Sequence, residues 1–239
     1  PMLSKENVIG VIQAQSYTPR RFSAADAELI ELVASAAASE IENARLFAEL
    51  SEAYDKTIEG WSHALDLRDQ ATEGHTRRVV EKTVQLSRAL GVPAEEMPRL
   101  RRGALLHDIG KMGIPDAILL KPGSLTDKEW ETMRLHPSYA YKLLSPIAYL
   151  RDALDIPYCH HEKWNGAGYP RGLAGEAIPL VARVFAVVDV WDALSSDRPY
   201  RAAWLPDKVL TYLREQSGSH FDPQVVEAFL QMMNDPSLP

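Results

Sequence analysis

The sequence predicts an all-α protein, a helical bundle that follows one long helix and a short N-terminal strand. Three observations predict it. Between Asp26 and Trp61 there is no proline, and apolar residues recur at steps of three or four. From about residue 52 to the end, period-two alternation is nearly absent, and glycine or proline marks the breaks between helical stretches. Only residues 7–16 are short, rich in β-branched side chains and followed by a turn, as a strand requires.

The long helix is predicted to begin after Ser23, which forms a capping box with Asp26 in place of the usual glutamate. Its apolar positions are Ile30, Val33, Ala37, Ile41, Ala44, Phe47, Leu50, Tyr54, Ile58 and Trp61. A helix of this length cannot be covered by its own small domain, so we expect a parallel homodimer through residues 26–61. The alternative is that the helix folds back onto its own chain. The strand at residues 7–15 would then have exposed edges, which could pair with a second copy or a neighbouring molecule.

The composition excludes several classes of protein. The net charge is −7, and no basic stripe is present, which argues against binding to a nucleic acid polymer. No apolar run is long enough to span a membrane, and the N-terminus lacks the pattern of a signal peptide. Cys159 is the single cysteine, so an internal disulfide is impossible and a cytoplasmic location is expected.

Two histidine motifs carry the candidate chemistry. His107 and Asp108 are adjacent within an apolar stretch predicted to be helical, where an unpartnered aspartate would be costly to bury. A divalent metal would satisfy both side chains, whereas the alternative is a hydrogen-bonded core histidine beside a capping aspartate. His160 and His161 would point about 100° apart on a helix, which suits two ions better than one. Alone, this pair could be a surface accident. The other candidate ligands are His75, His136 and Asp189.

The order of four motifs resembles that of the HD-GYP phosphodiesterases over roughly residues 55–230. The run of residues 160–173, HHEKWNGAGYPRGL, resembles the family signature, and residues 107–111 resemble its HD motif. Residues 193–201 and 221–223 resemble its later segments. The resemblance implies an HD-GYP helical bundle that hydrolyses a cyclic dinucleotide. The implied substrate is cyclic di-GMP, with cyclic GMP-AMP as a second candidate, and the implied product is the linear dinucleotide or GMP.

The resemblance also implies a metal centre. The implied ligands are His75, His107, Asp108, His136, His160, His161 and Asp189. Asp108 would bridge two ions, which together activate water and hold the phosphate. Iron or manganese is implied by the resemblance, although the donor chemistry alone also permits zinc or nickel. Some members carry a glutamate that supports a third ion; the corresponding residue here is Ala71, so we expect two ions.

Further residues are implied on the substrate side. Lys111 would lie one helical turn after His107, reach a phosphate oxygen and assist catalysis together with Asp108. Arg198 and Arg201 would bind the second phosphate. Arg183 could bind phosphate or pair with a structural carboxylate, and these alternatives stay open. The remaining implied contacts come from the loop residues Gly168, Tyr169 and Pro170. We expect no ligand role for His63 or His220, and expect Cys159 to face the core.

The N-terminal part resembles a different family. Residues 8–11, 22–23 and 41–46 resemble the end of a GAF sensory domain. We therefore expect residues 1–48 to be the C-terminal fragment of a GAF domain with its signalling helix, and residues 49–239 to be the catalytic domain. The alternatives are another HD-superfamily nucleotide phosphohydrolase and a non-catalytic cyclic-dinucleotide receptor. The glycine-rich loop and extra histidines argue against the first, and the intact ligand set argues against the second.

Overall fold

A computed structural model of the chain describes residues 1–5, 7–19, 21–69, 74–197 and 202–234. Within these residues the architecture is almost entirely helical, which confirms the predicted fold class. The strands are β1 (Met2–Ser4) and β2 (Asn7–Gly10). The helices are α1 (Ala24–Asp69), α2 (His75–Ala89), α3 (Met97–Leu105), α4 (Asp116–Leu119), α5 (Asp127–Met133), α6 (His136–Leu144), α7 (Asp155–Cys159), α8 (Leu180–Ser195), α9 (Pro206–Glu215) and α10 (Pro223–Asn234). Short 3-10 helices span Ala94–Glu96, Ile109–Gly113, Ala148–Ala153 and Gly175–Ala177. Ala71, Arg198 and Arg201 lie outside the described residues.

The chain divides into two compact units, residues 1–57 and 58–239. In the first unit β1 pairs antiparallel with β2. The prediction of an unpaired strand over residues 7–15 was therefore wrong, because the strand ends at Gly10 and its partner precedes it in the same chain. Lys5 has a φ of 54°, in the left-handed region that lets the chain reverse tightly between the strands.

Helix α1 begins where the capping box predicts and extends past Trp61. The Ser23 backbone N–H donates to Asp26 Oδ2 at 2.7 Å, and the Asp26 N–H donates to Ser23 Oγ at 3.3 Å. Among the described residues of the first unit, Met2, Ala34 and Ala38 form a buried cluster, with Ile12 and Ala37 packed against it. Most of the larger apolar side chains of the helix in this unit remain exposed. They are Leu29, Leu32, Val33, Ile41, Leu46, Phe47, Leu50 and Tyr54.

The core of the second unit forms around α8. This helix is apolar on nearly every face, as expected of a helix that is surrounded by others. It contacts α2, α7, α9 and α10. The largest buried side chains of this core include Leu86, Leu100, Phe185, Leu213, Phe221 and Phe229. Asp189 and Asp192 are thus placed on a central, fixed element.

Both histidine motifs lie just beyond helix ends, contrary to the helical prediction for them. Helix α3 ends at Leu105, and His107 and Asp108 form the turn before the 3-10 helix Ile109–Gly113. The turn packs so tightly on α6 that a Cβ at Gly110 would lie 1.8 Å from the carbonyl oxygen of His136. Likewise His160 and His161 follow the end of α7. No helix among the described residues is long and apolar enough to cross a membrane.

Candidate metal centre

Three histidines are fixed in one tautomer by the backbone. The Nδ1 atoms of His107, His136 and His160 each lie at hydrogen-bond distance from a carbonyl oxygen three or four residues earlier. The partners are Ala104 at 2.8 Å, Met133 at 2.8 Å and Ile156 at 3.0 Å. A carbonyl oxygen can only accept, so in the neutral ring the proton lies on Nδ1 and Nε2 carries the lone pair. This is the form in which histidine binds a metal through Nε2.

His75 is oriented by a carboxylate instead. Its Nδ1 lies 2.7 Å from Oδ2 of Asp192, a residue that is 1% exposed. Arg78 donates to both oxygens of this carboxylate, at 2.6 and 3.0 Å, and also donates to Ser196 Oγ. Burial alone would raise the pKa of Asp192, but the hydrogen bonds from His75 and Arg78 outweigh it and lower the pKa. Sequence reasoning missed Asp192, although its spacing of three from Asp189 on an apolar helix was a usable signal.

The predicted ligands converge into two groups. One is His75, His107 and Asp189, the other is His136, His160 and His161, and within each group the ligand atoms lie within 4.8 Å of one another. Asp108 lies between the groups and faces both. Its Oδ2 is 3.1 Å from His107 Nε2, whereas its Oδ1 is 3.3 Å from His136 Nε2 and 3.9 Å from His160 Nε2. One carboxylate can thus serve two neighbouring cation sites.

The polar atoms of this centre fit divalent cations. Among the described residues, His107 Nε2 is buried without a hydrogen bond of good geometry, although Asp108 Oδ2 lies 3.1 Å away, and the Nε2 atoms of His136 and His160 face each other at 3.4 Å. Burial lowers the pKa of His136, His160 and His161, so these lone pairs stay free. Burial also opposes protonation of His107, but Asp108 outweighs it and raises the pKa to about 9. Asp108 therefore favours a positive charge beside it, and imidazole and carboxylate donors suit a first-row transition metal.

Lys111 is bound to the same carboxylate. Its Nζ lies 2.8 Å from Asp108 Oδ2 and 2.7 Å from Asp69 Oδ2. Burial alone would lower the pKa of Lys111, but the two carboxylates raise it, so the ammonium stays charged. The approach to Asp108 comes from the 3-10 helix rather than from the predicted α-helical turn. Asp69, at the end of α1, was not identified from the sequence.

The glycine-rich loop forms one wall of the centre. Buried Glu162 accepts the backbone N–H groups of Arg171 at 2.7 Å and Leu173 at 2.9 Å, which closes the loop. A Cβ at Gly168 would lie 2.3 Å from the backbone nitrogen of Lys163, so only glycine fits there. The ring of Tyr169, followed by Pro170, stacks on His161 with 4.8 Å between centroids. The loop thus brings Tyr169 against a candidate ligand.

Four other residues named from the sequence belong to neither group. Arg183 forms a buried ion pair with Asp222 and donates to the carbonyl of Ile178, which are contacts of the structural alternative. Cys159 is buried as expected, and burial raises the pKa of its thiol to about 11. His220 stacks on Phe221, and His63 is exposed.

Comparison with known proteins places these features in context. Residues 61–225 match the family model described as HD domain. The chain is 42% identical over 192 residues to the cyclic di-GMP phosphodiesterase response regulator RpfG of Xanthomonas campestris pv. campestris, covering 78% of this chain and 51% of the relative. It is 34% identical over 214 residues to the 3'3'-cGAMP-specific phosphodiesterase 2 of Vibrio cholerae, covering 89% and 41%. The chain therefore spans about half the length of the curated relatives it matches.

Two solved structures share the fold. Bd1817, an HDG"Y"P protein from Bdellovibrio bacteriovorus, superposes with a TM-score of 0.55 at 20% identity, covering 67% of this chain and 52% of that one. The cyclic GMP-AMP phosphodiesterase V-cGAP3 of V. cholerae gives 0.54 at 22% identity, covering 76% and 49%. At these identities the likeness concerns the fold alone.

Proposed function

Since this chain belongs to the HD domain family, we propose that it is a metal-dependent phosphodiesterase that hydrolyses a cyclic dinucleotide. The observation that carries the proposal is the position of Asp108, whose two oxygens face two separate groups of metal-binding side chains. The names of curated relatives support cyclic di-GMP or 3'3'-cGAMP as the substrate, with the linear dinucleotide or GMP as the product.

The proposed centre holds two divalent ions, iron or manganese. Its proposed ligands are His75, His107, Asp108, His136, His160, His161 and Asp189. Bound ions would supply activation of water and stabilisation of the charge on the phosphate. The backbone carbonyls that hold three of the histidines fix the direction of their lone pairs before any ion binds. The Asp192–Arg78 pair does the same for His75.

The remaining proposed roles concern the substrate. Lys111 is charged and fixed between two carboxylates, so its ammonium can donate to a phosphate oxygen beside Asp108. Tyr169 walls the centre and is placed to contact phosphate or ribose. Gly168 and Pro170 let the loop approach the ligand closely. The proposed ligands of the second phosphate include Arg198 and Arg201, while Arg183 would have to leave Asp222 to join them.

The first experiment tests hydrolysis and metal together. Protein loaded anaerobically with manganese or iron is assayed on cyclic di-GMP, on 3'3'-cGAMP and on a linear nucleoside triphosphate, with product analysis and metal quantification. We expect turnover of a cyclic dinucleotide, about two ions per chain, and loss of turnover in Asp108→Ala. His63→Ala, which alters an exposed histidine, is the control. Near-normal turnover by Asp108→Ala, or turnover of the triphosphate alone, would contradict the proposal.

We further propose that the chain forms a parallel homodimer through residues 26–61, and that residues 1–48 are the end of a GAF domain. The exposed apolar side chains along α1, including Phe47 at 72% and Leu50 at 53%, support the dimer. Light scattering at micromolar concentration should give the mass of a dimer. Phe47→Glu combined with Leu50→Glu should shift it to the monomer, while Glu49→Gln should not. A monomeric wild-type chain would contradict the dimer.

A further inference from the structure

Arg134 lies at the edge of the metal centre, just after α5 and two residues before His136. Its guanidinium carbon is 5.6 Å from the centroid of the Tyr169 ring, within the range of a cation–π contact. The same ring stacks on His161 at 4.8 Å. The candidate ligand His161 thus contacts the ring of Tyr169, and this ring in turn contacts the guanidinium of Arg134.

The charge of Arg134 is not neutralised by a carboxylate in the part of the chain that the structure describes. Three other cations of this unit are engaged: Lys111 pairs with two carboxylates, Arg78 with Asp192 and Arg183 with Asp222. The residue is also exposed, so an incoming ligand can reach it.

A cyclic dinucleotide has a second phosphate across its macrocycle from the one that is cleaved. If the reacting phosphate lies against Asp108 and Lys111, the second one needs a cation further out, beyond the histidines. An arginine can give a phosphate two parallel N–H donors. We infer that Arg134, in addition to the proposed Arg198 and Arg201, binds the phosphate that is not cleaved, while its guanidinium rests on the face of Tyr169. This inference depends on the proposed function, because it assigns the residue to that substrate.

The simplest competing role is structural, in which Arg134 only holds Tyr169 in place. A comparison of substrates separates the two roles. Bis(p-nitrophenyl) phosphate is a phosphodiester with one phosphate, so it needs the metal centre but has nothing for Arg134 to bind. A structural role would affect both substrates alike, whereas binding of the second phosphate would affect the cyclic dinucleotide selectively.

The test uses the full chain with Arg134→Ala and Arg134→Lys. Arg101→Ala is the matched control, since this exposed arginine pairs with Glu59 on the same unit. We expect Arg134→Ala to raise KM for cyclic di-GMP about tenfold to a hundredfold, the loss of one charge-assisted contact, with a smaller effect on kcat. The effect on bis(p-nitrophenyl) phosphate should be at least tenfold smaller, and Arg134→Lys should recover part of the loss.

A second readout does not depend on turnover. Calorimetric binding of cyclic di-GMP to the metal-free chain should weaken by a similar factor in Arg134→Ala and remain unchanged in Arg101→Ala. Equal losses on both substrates, or normal binding by Arg134→Ala, would overturn the inference and leave the proposed function intact. Wild-type protein that binds cyclic di-GMP but does not hydrolyse it would instead contradict the proposed function, and the binding data would still decide the role of Arg134.

Discussion

Replacing Asp192 by asparagine tests how the fold prepares one of the two ligand groups. The carboxylate accepts from His75 at 2.7 Å and from Arg78 at 2.6 and 3.0 Å, and it is 1% exposed. Asparagine keeps one acceptor oxygen for His75 but turns its amide N–H groups toward the guanidinium. The charge is lost, and with it the ion pair between Asp192 and Arg78. We therefore expect Asp192→Asn to disturb His75 without emptying the space around it.

The size of the effect can be worked from these contacts. One charge-assisted hydrogen bond contributes about 1.5–3 kcal/mol, which corresponds to roughly tenfold to a hundredfold in an equilibrium constant. Loss of a partner that orients a metal-binding histidine costs about 10–100-fold in metal affinity. Both estimates give a loss of metal affinity of about 10–100-fold. The second ligand group should be spared, because His136 and His160 are held by backbone carbonyls that the substitution does not touch.

Anaerobic calorimetric titration of the metal-free protein with manganese measures the metal affinity of each site separately. In Asp192→Asn we expect one binding step to weaken about 10–100-fold and the other to stay within about threefold of wild type. Asp152→Asn, a change at an exposed aspartate, is the matched control. Equal weakening of both sites, or unchanged affinity at both, would refute the reasoning that His75 is oriented by Asp192.

Three other perturbations test the fold around the centre. Gly110→Ala should lower the free energy of unfolding, measured by chemical denaturation, by about 1–3 kcal/mol and reduce bound metal, because its Cβ would meet the carbonyl of His136. The control Gly60→Ala, in open space on α1, should raise the free energy of unfolding by about 0.5–1 kcal/mol. Glu162→Gln should lower the free energy of unfolding by about 1.5–3 kcal/mol and raise KM, since the loop loses two charge-assisted hydrogen bonds. An unchanged KM would contradict this. Burial lowers the pKa of His220 to about 4 from 6.5, so the unfolded chain takes up the proton first, and stability falls as pH drops from about 6.5 to 4. His220→Gln should therefore lose less stability than wild type between pH 7 and 5 in metal-free protein, and equal losses would refute this.

Much of the fold followed from local pattern. The spacing of apolar residues predicted α1, and the capping pair of Ser23 and Asp26 was correct, because these signals act within one helical turn. The strand pairing was missed, since nothing in residues 7–10 states that their partner is residues 2–4. The helical prediction for His107 also failed, because the chain leaves the helix there to let Gly110 pack on α6.

The sequence by itself determined which side chains could form the centre. Histidine and aspartate in apolar surroundings are expensive to bury alone, so their presence indicated a shared partner, and the motif order indicated the family. The ligand set, the metal and Arg198 and Arg201 remain predictions. The tertiary structure alone decided how the centre is held. Asp192 and Arg78 are 114 residues apart, and Lys111 and Asp69 are 42 apart, so their pairing depends on which helices pack together rather than on any local pattern. The lone pairs of three histidines converge because tight turns place backbone carbonyls behind their Nδ1 atoms, and such geometry arises only once the helices have packed.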